Sequence, residues 1–228
     1  MSRNSREEIL RRIKTGLQDL GVNQEKTPLF SITDGTKIGQ RVMELREELE
    51  EKKWVLIDRF IDELRRVSGN VIVAKDENEV RESVIKLIEE HSVRSLAIWE
   101  SDLLLSLREL LQNKGLQFVS PGNKDDMAKA DIGITEVDYA IAETGTIVLI
   151  ANERQPRLVS LLPPIHVAIM KSNIIVENLD ELFFLVKNSS QPTSCMTFIT
   201  GPSRTADIEL NLTLGVHGPK ELFVLIYP

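Results

Sequence analysis

One cysteine, Cys195, is all the thiol the chain carries. No internal disulfide can form, and the chain alone cannot hold an iron–sulfur cluster, which takes about four thiolates. Histidine is nearly as scarce: His91, His166 and His217 are scattered without the short spacing of a zinc site. Basic residues are outnumbered, and the net charge of −7 argues against broad contact with a phosphate backbone. A local basic pocket stays compatible with that balance. No apolar run approaches the ~20 residues of a membrane-spanning helix. The opening MSRNSREEILRR has basic residues with no apolar stretch behind them, so no signal peptide is expected and the cytoplasm is the expected location. No G-x-x-x-x-G-K-[ST] loop occurs, and residues 133–145 do not fit a dinucleotide fingerprint. The sequence thus offers no motif for ATP or NAD.

What is present is the balance of a globular protein: 228 residues, 42% hydrophobic and 28% charged. That length suits one domain, or one domain with an appendage. Ser5 and Glu8 make a capping box ahead of Ile9, Leu10, Ile13, Leu17 and Leu20, which predicts a first helix ended by Gly21. Residues 22–38 read as a loop. The stripe Val42, Leu45, Leu49, Leu56, Phe60, Leu64 and Val67 predicts one long helix from about Arg41 to Val67. From Asn70 the pattern alternates. Strands NVIVA, SLAIW and Leu116–Val119 are separated by helices over 76–91, 103–111 and 124–130, which implies βαβ units and a mostly parallel sheet. Beyond Asp131 strand-like runs crowd together, with one helix over Leu179–Val186. The expected organisation is a helical extension over residues 1–69 and an α/β domain over residues 70–228.

Three blocks could carry chemistry. In Asp131–Thr146, DIGITEVDYAIAETGT, a strand gives way to Glu143-Thr144-Gly145-Thr146: a carboxylate and two hydroxyls on a glycine turn. Ligands of open α/β sheets sit where strands meet loops. Glu143 is a candidate base, nucleophile or acceptor; the competing reading is a tight hairpin with Glu143 exposed and Gly145 supplying positive φ. The second block, Gly201 to Glu209, follows a strand and places Ser203, Arg204 and Thr205 in a row beside a possible helix start. Those donors suit a carboxylate or phosphate. The alternative is a capped helix with Arg204 paired to Asp207 or Glu209. The third block, Gly215-Val216-His217-Gly218-Pro219, makes a tight turn around a histidine that is either an acid–base group or a solvated turn residue. His166, after Pro163-Pro164, is read as structural, and Cys195 as a small hydrophobe.

The stretches GITEVDYAIAETGTIVL, SLLPPIHVAIM and GPSRTADIELNLTLGVHGP, in that order, resemble the lactate-utilisation protein C family and its LUD domain. The resemblance covers roughly residues 70–228; Glu136 departs from it, standing where the family often has a small residue. It implies a Rossmann-like, mostly parallel α/β sheet similar to the sugar-phosphate isomerase and coenzyme A transferase fold. It further implies a role in oxidising L-lactate to pyruvate with iron–sulfur partner proteins, which would hold the clusters while this chain holds no cofactor. On this expectation a small carboxylate is bound by Thr144, Gly145, Thr146, Ser203, Arg204, Thr205, Asp207 and Gly218, with Glu143 and His217 as catalytic candidates. No metal or nucleic acid is expected, and a homo-oligomer stays open. Two alternatives accompany this reading. One is an acyl or coenzyme A transferase-like, or sugar-phosphate isomerase-like, enzyme using Glu143. The other is an assembly or regulatory protein docking through its N-terminal helices.

Overall fold

The computed structural model describes residues 35–120, 124–189, 195–205, 213–214 and 217–228. The capping box at Ser5 and the first predicted helix lie outside them. The predicted long helix is two: α1 (Gly35–Glu51) and α2 (Lys53–Arg66), separated by Lys52. The helix therefore begins inside the predicted loop, ahead of Arg41. Lys52 breaks its regularity without ending the apolar stripe, so the periodicity continues across the joint. Leu45 of α1 and Leu56, Ile57, Phe60 and Leu64 of α2 are buried.

Six strands form the main sheet, in the order β1-β12-β7-β4-β2-β3. They are β1 (Asn70–Val73), β2 (Ser95–Ile98), β3 (Gln117–Phe118), β4 (Ile132–Glu136), β7 (Ile165–Lys171) and β12 (Glu221–Tyr227). Every pairing in this sheet is parallel. Such a sheet is covered on both faces, which is why β7 and β12 are near-continuous apolar runs. The crossovers include α3 (Glu77–Glu90) and α4 (Asp102–Gln112). Asp76 caps α3 by accepting from the Glu79 N–H at 2.9 Å, while the Glu79 carboxylate accepts from the Lys75 N–H at 2.8 Å. Ser101 caps α4 through the Leu104 N–H. Two short helices follow, α5 (Lys124–Met127) and α6 (Leu158–Leu161). Gly133 on β4 lies so close under α6 that an added Cβ would stand 1.9 Å from the Val159 carbonyl oxygen.

The crowded strands of the C-terminal half do not all join that sheet. A second, four-stranded sheet has the order β8-β5-β6-β9, from β5 (Tyr139–Ile141), β6 (Thr146–Ile150), β8 (Ile175–Val176) and β9 (Met196–Ile199). Its β5–β6 and β6–β9 pairs are antiparallel and its β5–β8 pair is parallel. The chain changes sheets in one residue step: Val137 N–H donates to Ile169 O in β7, and Asp138 N–H donates to Val148 O in β6. Helix α7 (Leu179–Lys187), capped by Asn178, packs on this sheet through Leu182, Phe184 and Leu185. Helix α2 packs against both sheets, touching β1 and β8. A two-stranded antiparallel ribbon, β10 (Arg204–Thr205) with β11 (Thr213–Leu214), completes the described elements. Arg204 and Thr205 are therefore strand residues, their backbone paired with β11; the possible helix start after them falls on residues 206–212, outside the described residues.

Candidate functional site

The three sequence blocks come together around the C-terminal end of α2. The first block turns between β5 and β6. Gly145 adopts φ +61°, and an added Cβ there would stand 2.3 Å from the Leu64 nitrogen and 2.6 Å from the Glu63 carbonyl carbon. The turn thus lies against the backbone of α2, at a distance only glycine allows. The second block approaches the same helix end from β9. Gly201, at φ +83°, would carry its Cβ 2.6 Å from Val67 O, and the Arg204 guanidinium donates to the Ser68 hydroxyl. The third block touches the second: Ser203 N–H donates to Pro219 O at 2.8 Å, and a Cβ on Gly218 would stand 3.2 Å from the Ser203 Cβ.

The first block is also joined by side chains to Thr200, the residue directly before the second. The buried Thr146 hydroxyl lies 2.7 Å from the Thr144 hydroxyl and 2.7 Å from the Thr200 hydroxyl. This file of three hydroxyls crosses from the β5–β6 turn to the end of β9, where Ile147 pairs with Ile199. Hydroxyls both donate and accept, so such a file can orient as a unit toward an external acceptor.

Glu143 is exposed on its turn, where its N–H donates to Glu177 O. Arg204 and His217 are also exposed. Among the described residues no direct bond links Glu143, Arg204 and His217. Asp207 lies outside those residues, and of Thr205 the structure describes only the backbone.

Electrostatically the site is an exception to the chain's acidity. Arg65 and Arg66 occupy the last turn of α2, and Arg204 is tied just beyond it at Ser68. Arg66 is paired with Glu63, whereas among the described residues no acid pairs with Arg65 or Arg204. The guanidinium has five N–H donors in a fixed fork, so the bond to Ser68 leaves most of them for an anion. The partial negative charge of the helix end offsets only part of this field. Sequence reasoning missed Ser68 and Thr200. Ser68 has a positive φ of 66°, unusual for a residue with a side chain, but nothing in Val67-Ser68-Gly69 announces its link to Arg204, 136 positions later. Thr200 stands directly before Gly201 and was readable only as the end of a strand.

A family model described as the LUD domain matches residues 57–227. The chain belongs to the LUD-domain family. The match begins inside α2, so the helix end that carries the site lies within the LUD span. Relatives point the same way. "Lactate utilization protein C" of Halalkalibacterium halodurans is 34% identical over 152 residues, covering 62% of this chain and 66% of that protein. "Lactate utilization protein C 1" of Bacillus mycoides is 31% identical over 207 residues, covering 85% of this chain and 81% of its own. The match to the first spans just under two thirds of that relative's length. A DUF162 family protein of Deinococcus radiodurans, known from a crystal structure, has the same fold at TM-score 0.56 and 18% identity, covering 77% of this chain and 98% of that one. The expected α/β fold with its parallel main sheet and the resemblance to lactate-utilisation protein C are both borne out. Among the described residues of this LUD domain, no helix is long and apolar enough to cross a membrane, and no group of three acidic, histidine or cysteine side chains is placed to hold a metal.

Proposed function

We infer that this LUD protein is a subunit of an L-lactate utilisation system and binds a small carboxylate at the α2 end. The observation that carries the reading is the likeness to lactate utilization protein C over 207 residues. The geometry supports the ligand class: an arginine without an acidic partner among the described residues, at the same helix end as a hydroxyl file and two glycine-permitted close approaches. Arg204 would grip the carboxylate by two N–H groups. Ser203 and the Thr144–Thr146–Thr200 file would bond the remaining polar atoms, with Glu143 and His217 at the rim. The expected iron–sulfur partners would carry the electrons, since Cys195 is the only thiol in the chain.

The test is a thermal-shift titration with L-lactate, pyruvate, a sugar phosphate and acetyl-coenzyme A. A ligand of the native state raises stability by about 2.7 kcal/mol at a hundred times its Kd. At about 2–4 °C per kcal/mol for a domain of this size, that is roughly 5–10 °C. A shift with lactate or pyruvate is expected, and Arg204→Ala should abolish it. A shift confined to acetyl-coenzyme A would replace this reading with a transferase-like one.

A further inference from the structure

A second concave feature lies apart from the α2 end and shares none of its residues. A cavity of about 370 Å³ opens between α1, the start of α2, and the segment joining β7 to β8. Its polar lining includes Arg46, Glu50, Lys53, Asp138, Tyr139 and Asn173. Its apolar wall includes Leu49, Leu56, Ile174 and Leu185.

The formal charges of the lining sum to zero, but they are not all paired. Lys53 pairs with Glu50 at 3.3 Å, so these two cancel. Among the described residues the Arg46 guanidinium has no acidic partner within ion-pair distance, and it stands as an unpaired cation at the wall. Asp138 sits at the point where the chain changes sheets. Its Oδ2 accepts from the Ile150 N–H at 2.6 Å, which fixes the carboxyl group. Among the described residues Oδ1 has no bond, and it is the acceptor the cavity offers to a donor. Burial pushes Asp138 up to about 6, with the neighbouring Glu136 charge adding to the effect. A carboxyl group kept half-buried at a cavity wall and shifted toward neutrality is the kind of group found at binding and catalytic sites.

We propose that this cavity is a binding site for a medium-sized amphipathic anion that also carries a hydrogen-bond donor. The anionic group goes to Arg46, the donor to Asp138 Oδ1, and the apolar body against Leu49, Leu56 and Leu185. Cavities that enclose such molecules measure about 300–1,000 Å³, which this one reaches and a three-carbon acid would leave mostly empty. The site is therefore separate from the carboxylate site at Arg204 and does not depend on it.

A probe with these three features is 8-anilinonaphthalene-1-sulfonate: a sulfonate, an apolar two-ring body and one N–H. Fluorescence titration of the full chain at pH 7 should show saturable binding to one site. Arg46→Ala removes the cation, and Asn173→Trp fills the mouth; both positions are exposed, and unfolding midpoints measured alongside report that the variants fold. Each substitution should weaken the probe at least tenfold, while Arg204→Ala should leave its Kd within twofold. Absence of saturable binding would overturn the proposal. So would a Kd within twofold of the wild type in either cavity variant, or binding lost in Arg204→Ala instead.

Discussion

Gly145→Ala should lower the unfolding midpoint by roughly 4–20 °C, on a loss of about 2–5 kcal/mol at 2–4 °C per kcal/mol. Two costs add. A side chain at φ +61° enters the left-handed region, at about 1–2 kcal/mol. The new methyl group then meets the backbone of α2 at Leu64 and Glu63, and overpacking costs about 1–3 kcal/mol or more. Backbone inside a helix cannot swing aside as a flexible side-chain end can, and Leu64 is itself fully buried in the main core. The β5–β6 turn or the end of α2 must therefore move. Because both carry the candidate site, residual folded protein should also lose its lactate response. A midpoint within about 2 °C of the wild type would show that the turn is not seated on α2 as described.

Asp138→Asn should stabilise the protein at pH 7 and leave it more sensitive to acid. Asp138 is pushed up to about 6 from an ordinary value near 3.8, so its native form holds the proton more tightly than the unfolded chain does. Its contribution is thus fullest below about pH 4 and is lost as pH rises through 6. Asparagine keeps an acceptor for the Ile150 N–H and removes the buried charge. A gain of about 1–2 kcal/mol at pH 7 is expected, discounted because the group is not fully enclosed. The gain over the wild type should shrink to nothing near pH 4.

His166 acts in the opposite direction. It is fully buried between β4 and β12, with Nε2 at 2.9 Å from the Thr135 hydroxyl and Nδ1 without a partner. Desolvation lowers it from 6.5 to about 3. The unfolded chain therefore takes up the proton first, and stability falls by about 1.4 kcal/mol per pH unit below 6.5. Between about pH 4 and 6 the two groups cancel in the wild type. In Asp138→Asn the histidine slope stands alone. Urea unfolding at pH 4.5, 5.5 and 7.0 reads this directly, and stability curves of wild type and variant that ran parallel would refute it.

Much of the main sheet was legible because its first strands are short apolar runs followed by helices: NVIVA is β1 and SLAIW is β2. The joint at Lys52 was not legible, because the apolar stripe runs through it unbroken. Nor was the second sheet, whose membership depends on pairings such as Ile147 with Ile199 across more than fifty positions. The blocks around Glu143, Arg204 and His217 stood out by composition, as glycine turns bearing polar groups. What they meet, the end of α2 and the residues just after it, could not be read from them, because the close approaches of Gly145 and Gly201 are to backbone and the side-chain link from Arg204 to Ser68 spans 136 positions. Asp138 lay inside the most informative block and passed as one acid among others. Only the exchange of partners, from Ile169 O to Val148 O, reveals it as half-buried at a cavity wall.

The lactate reading is tested most directly by deleting the gene in the organism that encodes it and comparing growth on L-lactate and on glucose as sole carbon source. Growth on L-lactate should be lost and growth on glucose kept. The wild-type chain supplied in trans should restore the first, and Arg204→Ala should not. Unchanged growth on L-lactate after deletion would contradict the account.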